Sequence, residues 1–256
     1  MIHALHGNFG LPTDWDAALP PGVPAMGWPL WEIRRRHPET RTLTGFATWL
    51  NNEVAALPGH GPRVLAGYSM GGRLALHVLL DRPSLWHHAI LLSTHPGLTT
   101  PEERTARLAH DAGWQARCQS RDWEEVAGQW NHQPILQGRC PVPKPAPSAA
   151  WRAEIASAFD GWSLGCQENL LPSLARSPVA TTWLAGELDP KFHALAAAAA
   201  RVLPCAGFQP VPGAGHRLLL EQPGRVQTLV TAAWSLAGLS GSGPPVGPLP
   251  CLDRNP

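Results

Sequence analysis

The chain lacks any organised set of cysteines. Its five, Cys118, Cys140, Cys166, Cys205 and Cys251, stand singly, the count is odd, and no C-x-x-C pair occurs. That excludes a cysteine zinc site and argues against a disulfide framework, and it points to a reducing, cytoplasmic setting. It also lacks a charge excess: 20 Lys and Arg against 19 Asp and Glu leave a formal net charge of +1. No basic footprint exists for nucleic acid or an anionic membrane surface. No apolar run is long enough to span a bilayer. The N-terminus, M-I-H-A-L, enters a motif directly, without the layout of a signal peptide. Histidines are plentiful, 12 in all, but none falls in H-E-x-x-H spacing or beside cysteines, so neither a metal nor a cofactor is expected. There is no internal repeat.

What is present centres on Arg63 to Leu80. Val64, Leu65 and Ala66 form the apolar run of a buried strand. Gly67-Tyr68-Ser69-Met70-Gly71 then makes a G-x-S-x-G pattern, and Leu74, Ala75, Val78 and Leu79 follow at helical spacing. Strand, glycine-flanked turn and helix are the context of a nucleophile elbow. Its serine is lifted above the sheet edge, and the helix N-terminus faces any developing negative charge.

Upstream, Met1–Leu5 reads as a strand running into His6-Gly7-Asn8-Phe9-Gly10. The N–H of Asn8 can join that of Met70 as an oxyanion hole. A Pro/Gly-rich loop spans Pro20 to Pro29, and Trp28, Leu30, Trp31 and Ile33 resemble the next strand. Arg34-Arg35-Arg36-His37 reads as a solvated loop, and Thr44 as the N-cap of a helix running to Leu57. Ala89–Ser93 is another buried strand. From residue 98 to 177 helical signals stand without strand signals: from Thr100-Pro101-Glu102-Glu103, over Trp123–Trp130, over Trp151–Phe159 and over Glu168–Ala175, with a Pro-rich loop from Gln137 to Pro147. Strands return at Val179–Leu184 and Gly207–Val211, with helices at Phe192–Leu203 and Gly224–Leu236. The expected domains are a core of 1–97 plus 178–237, a helical lid of 98–177 inserted before the last strands, and a disordered Gly/Pro/Ser tail of 238–256.

A catalytic serine needs a base, and the base needs an orienting acid. His216 follows Gly213-Ala214-Gly215 after the last strand. Asp189 lies past the strand before it, with Glu187 as the competing acid. The order Ser69, Asp189, His216 is that of the α/β-hydrolase fold, a mostly parallel sheet flanked by helices.

Residues 1 to about 237 resemble the 2-succinyl-6-hydroxy-2,4-cyclohexadiene-1-carboxylate synthases of menaquinone biosynthesis. The stretches are L-H-G-N-F-G (5–10), G-Y-S-M-G-G-R-L-A-L-H (67–77), P-E-E-R-T-A-R (101–107), Q-W-N-H-Q-P-I (129–135), G-E-L-D-P-K-F (186–192) and G-A-G-H (213–216). The resemblance implies a lyase that eliminates pyruvate, with Ser69 acting as a base through His216 and Asp189 and never acylated. It implies a small-molecule carboxylate substrate met by Arg73, Arg107 and Trp130, and a monomer or weak homo-oligomer. Residue by residue, Arg73 could instead be a solvated helix arginine, Arg107 a helix partner of Glu103, and Trp130 a core residue. The chain departs from the family in three ways. Phe159 stands where an arginine is usual in the third lid helix, with Arg152 the nearest candidate. Asn8 replaces an apolar residue, and the first hairpin is missing. The alternative reading is a carboxylesterase or thioesterase with Ser69 as nucleophile. A non-catalytic binding protein is the other alternative, and the intact Ser-Asp-His set argues against it.

Overall fold

The computed structural model describes residues 1–59, 61–137 and 146–239. Among them, six strands form one sheet: β1 (Ile2–Leu5), β2 (Ala25–Trp28), β3 (Val64–Tyr68), β4 (His88–Leu92), β5 (Ala180–Gly186) and β6 (Ala206–Val211). Their order is β2-β1-β3-β4-β5-β6, and every neighbouring pair is parallel. The helices are α1 (Leu30–Arg36), α2 (Leu43–Ala56), α3 (Met70–Asp81), α4 (Pro101–Ser120), α5 (Trp123–Asn131), α6 (Arg152–Gly161), α7 (Leu171–Leu174), α8 (Pro190–Val202), α9 (Leu218–Glu221) and α10 (Pro223–Leu239).

A wholly parallel sheet must be covered on both faces, and alternate side chains divide accordingly. Val64, Ala66, Ile90 and Leu92 enter one core with Val226, Leu229 and Val230 of α10. Leu65, Ala89 and Leu91 enter the other with Leu50 and Val54 of α2 and Leu74 and Val78 of α3. No described helix is long and apolar enough to cross a membrane.

Several local expectations are corrected. The second strand lies earlier, at Ala25–Trp28, and Leu30–Arg36 is a helix. Pro29 separates the two, and Leu30, Trp31, Ile33 and Arg34 make one buried face. Arg34 is therefore not in a solvated loop. It is 3% exposed, lies 4.5 Å over the Trp162 ring, and donates to Ser157 Oγ, Ser157 O and Arg41 O. The N-cap of α2 is Thr42, whose hydroxyl accepts from Gly45 N–H, and Thr44 sits inside the first turn. The helix expected over Glu168–Ala175 shrinks to Leu171–Leu174. Its first residues instead run beside the segment leaving β4: Leu98 bridges Glu168, and Leu170 N–H donates to Pro96 O. Helix α10 runs to Leu239, past the expected start of the tail at 238, and residues 240–256 lie outside the described residues, as does 138–145 of the Pro-rich loop. The Thr100 start of α4 carries a full capping box, Thr100 Oγ1 accepting from Glu103 N–H and Glu103 Oε2 from Thr100 N–H.

Burial keeps five histidines neutral. Desolvation is the largest cause that lowers His3, His6, His77, His88 and His95 from 6.5 to about 4. The unfolded chain takes these protons at its ordinary pKa, so their contribution is fully present above pH 6.5 and is lost as pH falls towards 4. Each should cost about 0.7 kcal/mol between pH 7 and pH 6, a few kcal/mol in all. Urea unfolding at the two pH values measures this, and equal midpoints would contradict neutral burial.

Candidate active site

Ser69 sits between β3 and α3 with φ 54° and ψ −109°, a conformation that costs a non-glycine residue about 1–3 kcal/mol. It is held by its own N–H donating to Leu92 O of β4 at 2.8 Å. The turn needs small neighbours. A side chain at Gly67 would meet Gly72 Cα at 2.6 Å, and one at Gly71 would collide with the carbonyls of Leu5 and His6. Gly71 therefore lets the first turn of α3 press against the end of β1. That contact brings the His6–Gly10 loop beside the serine. Met70 opens α3, so its N–H has no carbonyl one turn back within the helix.

The last two strands supply the partners. Asp189 caps α8, its Oδ1 accepting from Phe192 N–H at 3.1 Å. Its Oδ2 lies 2.8 Å from His216 Nδ1, and His216 Nε2 lies 3.2 Å from Ser69 Oγ. A carboxylate only accepts, so Nδ1 carries the proton and Nε2 is left to accept from the serine hydroxyl. Asp189 and His216 are buried. The Phe192 ring stands edge-on to the imidazole at 4.5 Å, and Ser93 Oγ donates to the His216 carbonyl at 3.1 Å. Glu187 does not compete. It is exposed and accepts from Gly213 N–H in the turn before the histidine.

Ser69 opens into a cavity of about 260 Å³ lined also by Asn8, Phe9, Asp14, Trp130, Asn131 and Arg217, among others. Phe9, at φ 58°, stacks between Trp123 at 5.2 Å and Trp130 at 4.6 Å. The loop carrying Asn8 thus leans on α5. Burial is the main cause that raises the Asp14 pKa, and its Oδ2 accepts from Leu11 N–H.

The remaining expected residues lie elsewhere. Arg73 is buried and does not line the cavity; Nη2 donates to Trp162 O at 2.7 Å, and Nη1 has no partner among the described residues. Burial first, and then repulsion from Arg107, lowers it to about 9. Arg107 pairs with buried Asp111 at 2.8 Å, not with Glu103. Arg152 turns to the carbonyls of Cys118 and Arg121 at the end of α4. Phe159 packs on Trp114 and Trp130. Among the described residues no group of three His, Cys, Asp or Glu could hold a metal. Arg217, Asn131 and Asp14 are the cavity residues that sequence reasoning passed over. Arg217 directly follows the G-A-G-H stretch, Asn131 lies within Q-W-N-H-Q-P-I, and adjacency to those motifs was the available signal.

A model of the alpha/beta hydrolase family matches residues 4–227. A curated relative from Pectobacterium atrosepticum, named 2-succinyl-6-hydroxy-2,4-cyclohexadiene-1-carboxylate synthase, is 32% identical over 207 residues, 75% of this chain and 79% of its own. The chain belongs to this synthase family of alpha/beta hydrolases. A synthase of the same name from Serratia proteamaculans is 33% identical over 164 residues, and the match spans 62% of each chain, under two thirds of that relative. The solved MenH structure from S. aureus has a TM-score of 0.78 at 20% identity, covering 92% of this chain and 93% of that one. At that identity the likeness is one of fold. Synthases and hydrolases share this architecture, so the chemistry must be argued from the site.

Asp189, and not Glu187, is the carboxylate bonded to His216. Labelling of Ser69 by a fluorophosphonate should slow roughly 10³–10⁴-fold in Asp189→Asn and stay near the original rate in Glu187→Gln. Mass spectrometry of the labelled peptide reads both, and the reverse order would reassign the acid.

Proposed function

We propose that the protein eliminates pyruvate from 2-succinyl-5-enolpyruvyl-6-hydroxy-3-cyclohexene-1-carboxylate, a step of menaquinone biosynthesis whose product is the compound that its relatives are named for making. The observation that carries this reading is the hydrogen-bonded run from Asp189 through His216 to Ser69 at the cavity, in a chain of that family. Ser69, relaying through His216, removes the ring proton beside the succinyl ketone. The freed electron pair enters the ring, the existing double bond shifts, and the bond to the enolpyruvyl oxygen breaks. The ring becomes the conjugated diene, and enolpyruvate takes up a proton to leave as pyruvate. Negative charge gathers on the ketone oxygen, where the N–H groups of Asn8 and Met70 would receive it. Ser69 forms no acyl intermediate.

The reading gives Arg73 and Arg107 a role in meeting substrate carboxylates. Arg73 has an unfilled buried donor and stands close enough to the charge of Arg107 for its pKa to feel it. Asp111 meets the charge of Arg107, so the orphaned N–H of Arg73 is the group best suited to take a carboxylate. Residues 98–177 serve as the lid, with Trp130 of α5 as a wall of the cavity. The protein acts as a cytoplasmic monomer or weak homo-oligomer.

Pyruvate release from the enolpyruvyl substrate tests the proposal. A p-nitrophenyl ester should give little turnover and no burst, because no acyl-enzyme accumulates. Arg73→Ala should lose about 1.5–3 kcal/mol of transition-state binding, roughly 10- to 150-fold in kcat/KM. Arg73→Lys should recover only part of it, since an ammonium lacks the planar fork. A burst, fast ester turnover and indifference to Arg73→Ala would replace the lyase with a hydrolase that uses Ser69 as nucleophile.

A further inference from the structure

Arg217 is the only lysine or arginine among the described residues lining the cavity that holds Ser69. It is 8% exposed, and a charge with little water around it attracts an anion most strongly. Its backbone is fixed from both sides. Glu221 Oε2 accepts from Gly215 N–H at 2.8 Å and Glu221 Oε1 from Arg217 N–H at 3.2 Å, so one carboxylate clamps the residues flanking His216. Its guanidinium is fixed as well: Nη2 donates to Asn131 Oδ1 of α5 at 2.5 Å. The same cavity has apolar walls in Trp130, Leu136 and Leu219, and its polar lining includes Asp14 and Ser148. A planar ring against those walls that carries an acid group fits the shape and charge of this site.

We propose that Arg217, oriented by Asn131, is a carboxylate-binding residue of the cavity, taking an acid group of the ligand away from its reacting carbon. This rests on the reading above, in which the ligand is a ring bearing carboxylates. It adds a cation supplied by the histidine loop, in a chain whose third lid helix carries Phe159 where the resemblance leads one to look for an arginine. It also means that the acid group is gripped by the segment that carries the base. Ligand anchoring and the placing of His216 then depend on the same few residues. The competing view makes Arg217 a strut between the last loop and α5, with no part in ligand recognition.

The probe is 2-succinylbenzoate, a flat ring with two acid groups, with its dimethyl ester as the uncharged control and calorimetry as the readout. The unaltered protein should bind the dianion more tightly than the ester. Raising salt from about 0.05 M to 0.5 M should weaken only the dianion. Arg217→Gln should weaken the dianion roughly 10- to 100-fold and leave the ester unchanged, and Arg217→Lys should restore part of the loss. Asn131→Ala should cost less than Arg217→Gln, and only for the dianion. Equal binding of dianion and ester by the unaltered protein would overturn the proposal. So would a loss in Arg217→Gln and Asn131→Ala that is the same for both ligands, the mark of a strut. The synthase reading is judged separately by pyruvate release. Selective binding of the dianion through Arg217 without pyruvate release sinks the synthase and leaves the subsite. Pyruvate release with unchanged KM in Arg217→Gln sinks the subsite alone.

Discussion

The contact on which the site depends is the seating of Gly71 against the carbonyls of Leu5 and His6. No other residue fits there. Because it fits, α3 begins directly over the end of β1, and the loop from β1 must turn away beside the first turn of that helix. The nearness of Asn8 to Ser69 in one cavity follows from this. The positive φ of Ser69 follows too, since the chain has to reverse within one residue between a strand and a helix packed so close. The strain is carried by a buried sheet, through Ser69 N–H on Leu92 and Ser93 N–H on Leu184. The same stepping of neighbouring strands places Ser93 where it can hold the His216 carbonyl.

The meeting of Ser69, His216 and Asp189 was legible because each lies just past a strand end, and strand ends are marked by apolar runs followed by glycine or proline. The capping box at Thr100 was legible for a similar reason, since it is a local pattern with a local cause. The failures are of another kind. Trp28, Leu30, Trp31 and Ile33 read as one apolar stretch, yet Pro29 divides a strand from a helix within it. Arg34 reads as surface charge, but besides the nearby Arg41 carbonyl its guanidinium meets two acceptors of Ser157 in α6 and the ring of Trp162 just after it, more than a hundred residues away. Phe159 against Trp114 and Trp130, and Arg152 on the carbonyls of α4, likewise depend on how helices pack. Spacing within one helix carries no record of such partners.

Polar groups inside this protein are managed in two ways. The histidines of the interior are kept neutral by burial, so they act as shaped hydrogen-bonding fillers: His3 accepts from Trp28 Nε1, and His88 pairs with Thr182. The arginines stay charged and are met by carbonyls or by Asp111. Arg73 is the case where this is incomplete, with one donor satisfied by Trp162 and another left over. A buried donor without a partner costs about 1–3 kcal/mol. A fold that keeps such a group one turn from Ser69 tolerates that cost beside its candidate active site, where local rules are most often broken.

Phe9 links the loop and the helices above it in the same energetic terms. Its positive φ costs about 1–3 kcal/mol, and each of its two stacked contacts returns about 0.5–1.5 kcal/mol beyond simple burial. These magnitudes are equal within their spread, so the backbone beside Asn8 holds its shape only while Trp123 and Trp130 flank the ring. Both tryptophans belong to α5. Moving α5 removes the compensation and frees the loop that carries Asn8 to relax. The wall that α5 gives the cavity and the shape of the loop beside Ser69 are therefore not independent: displacing α5 opens the cavity and also removes the support of the loop that lines it.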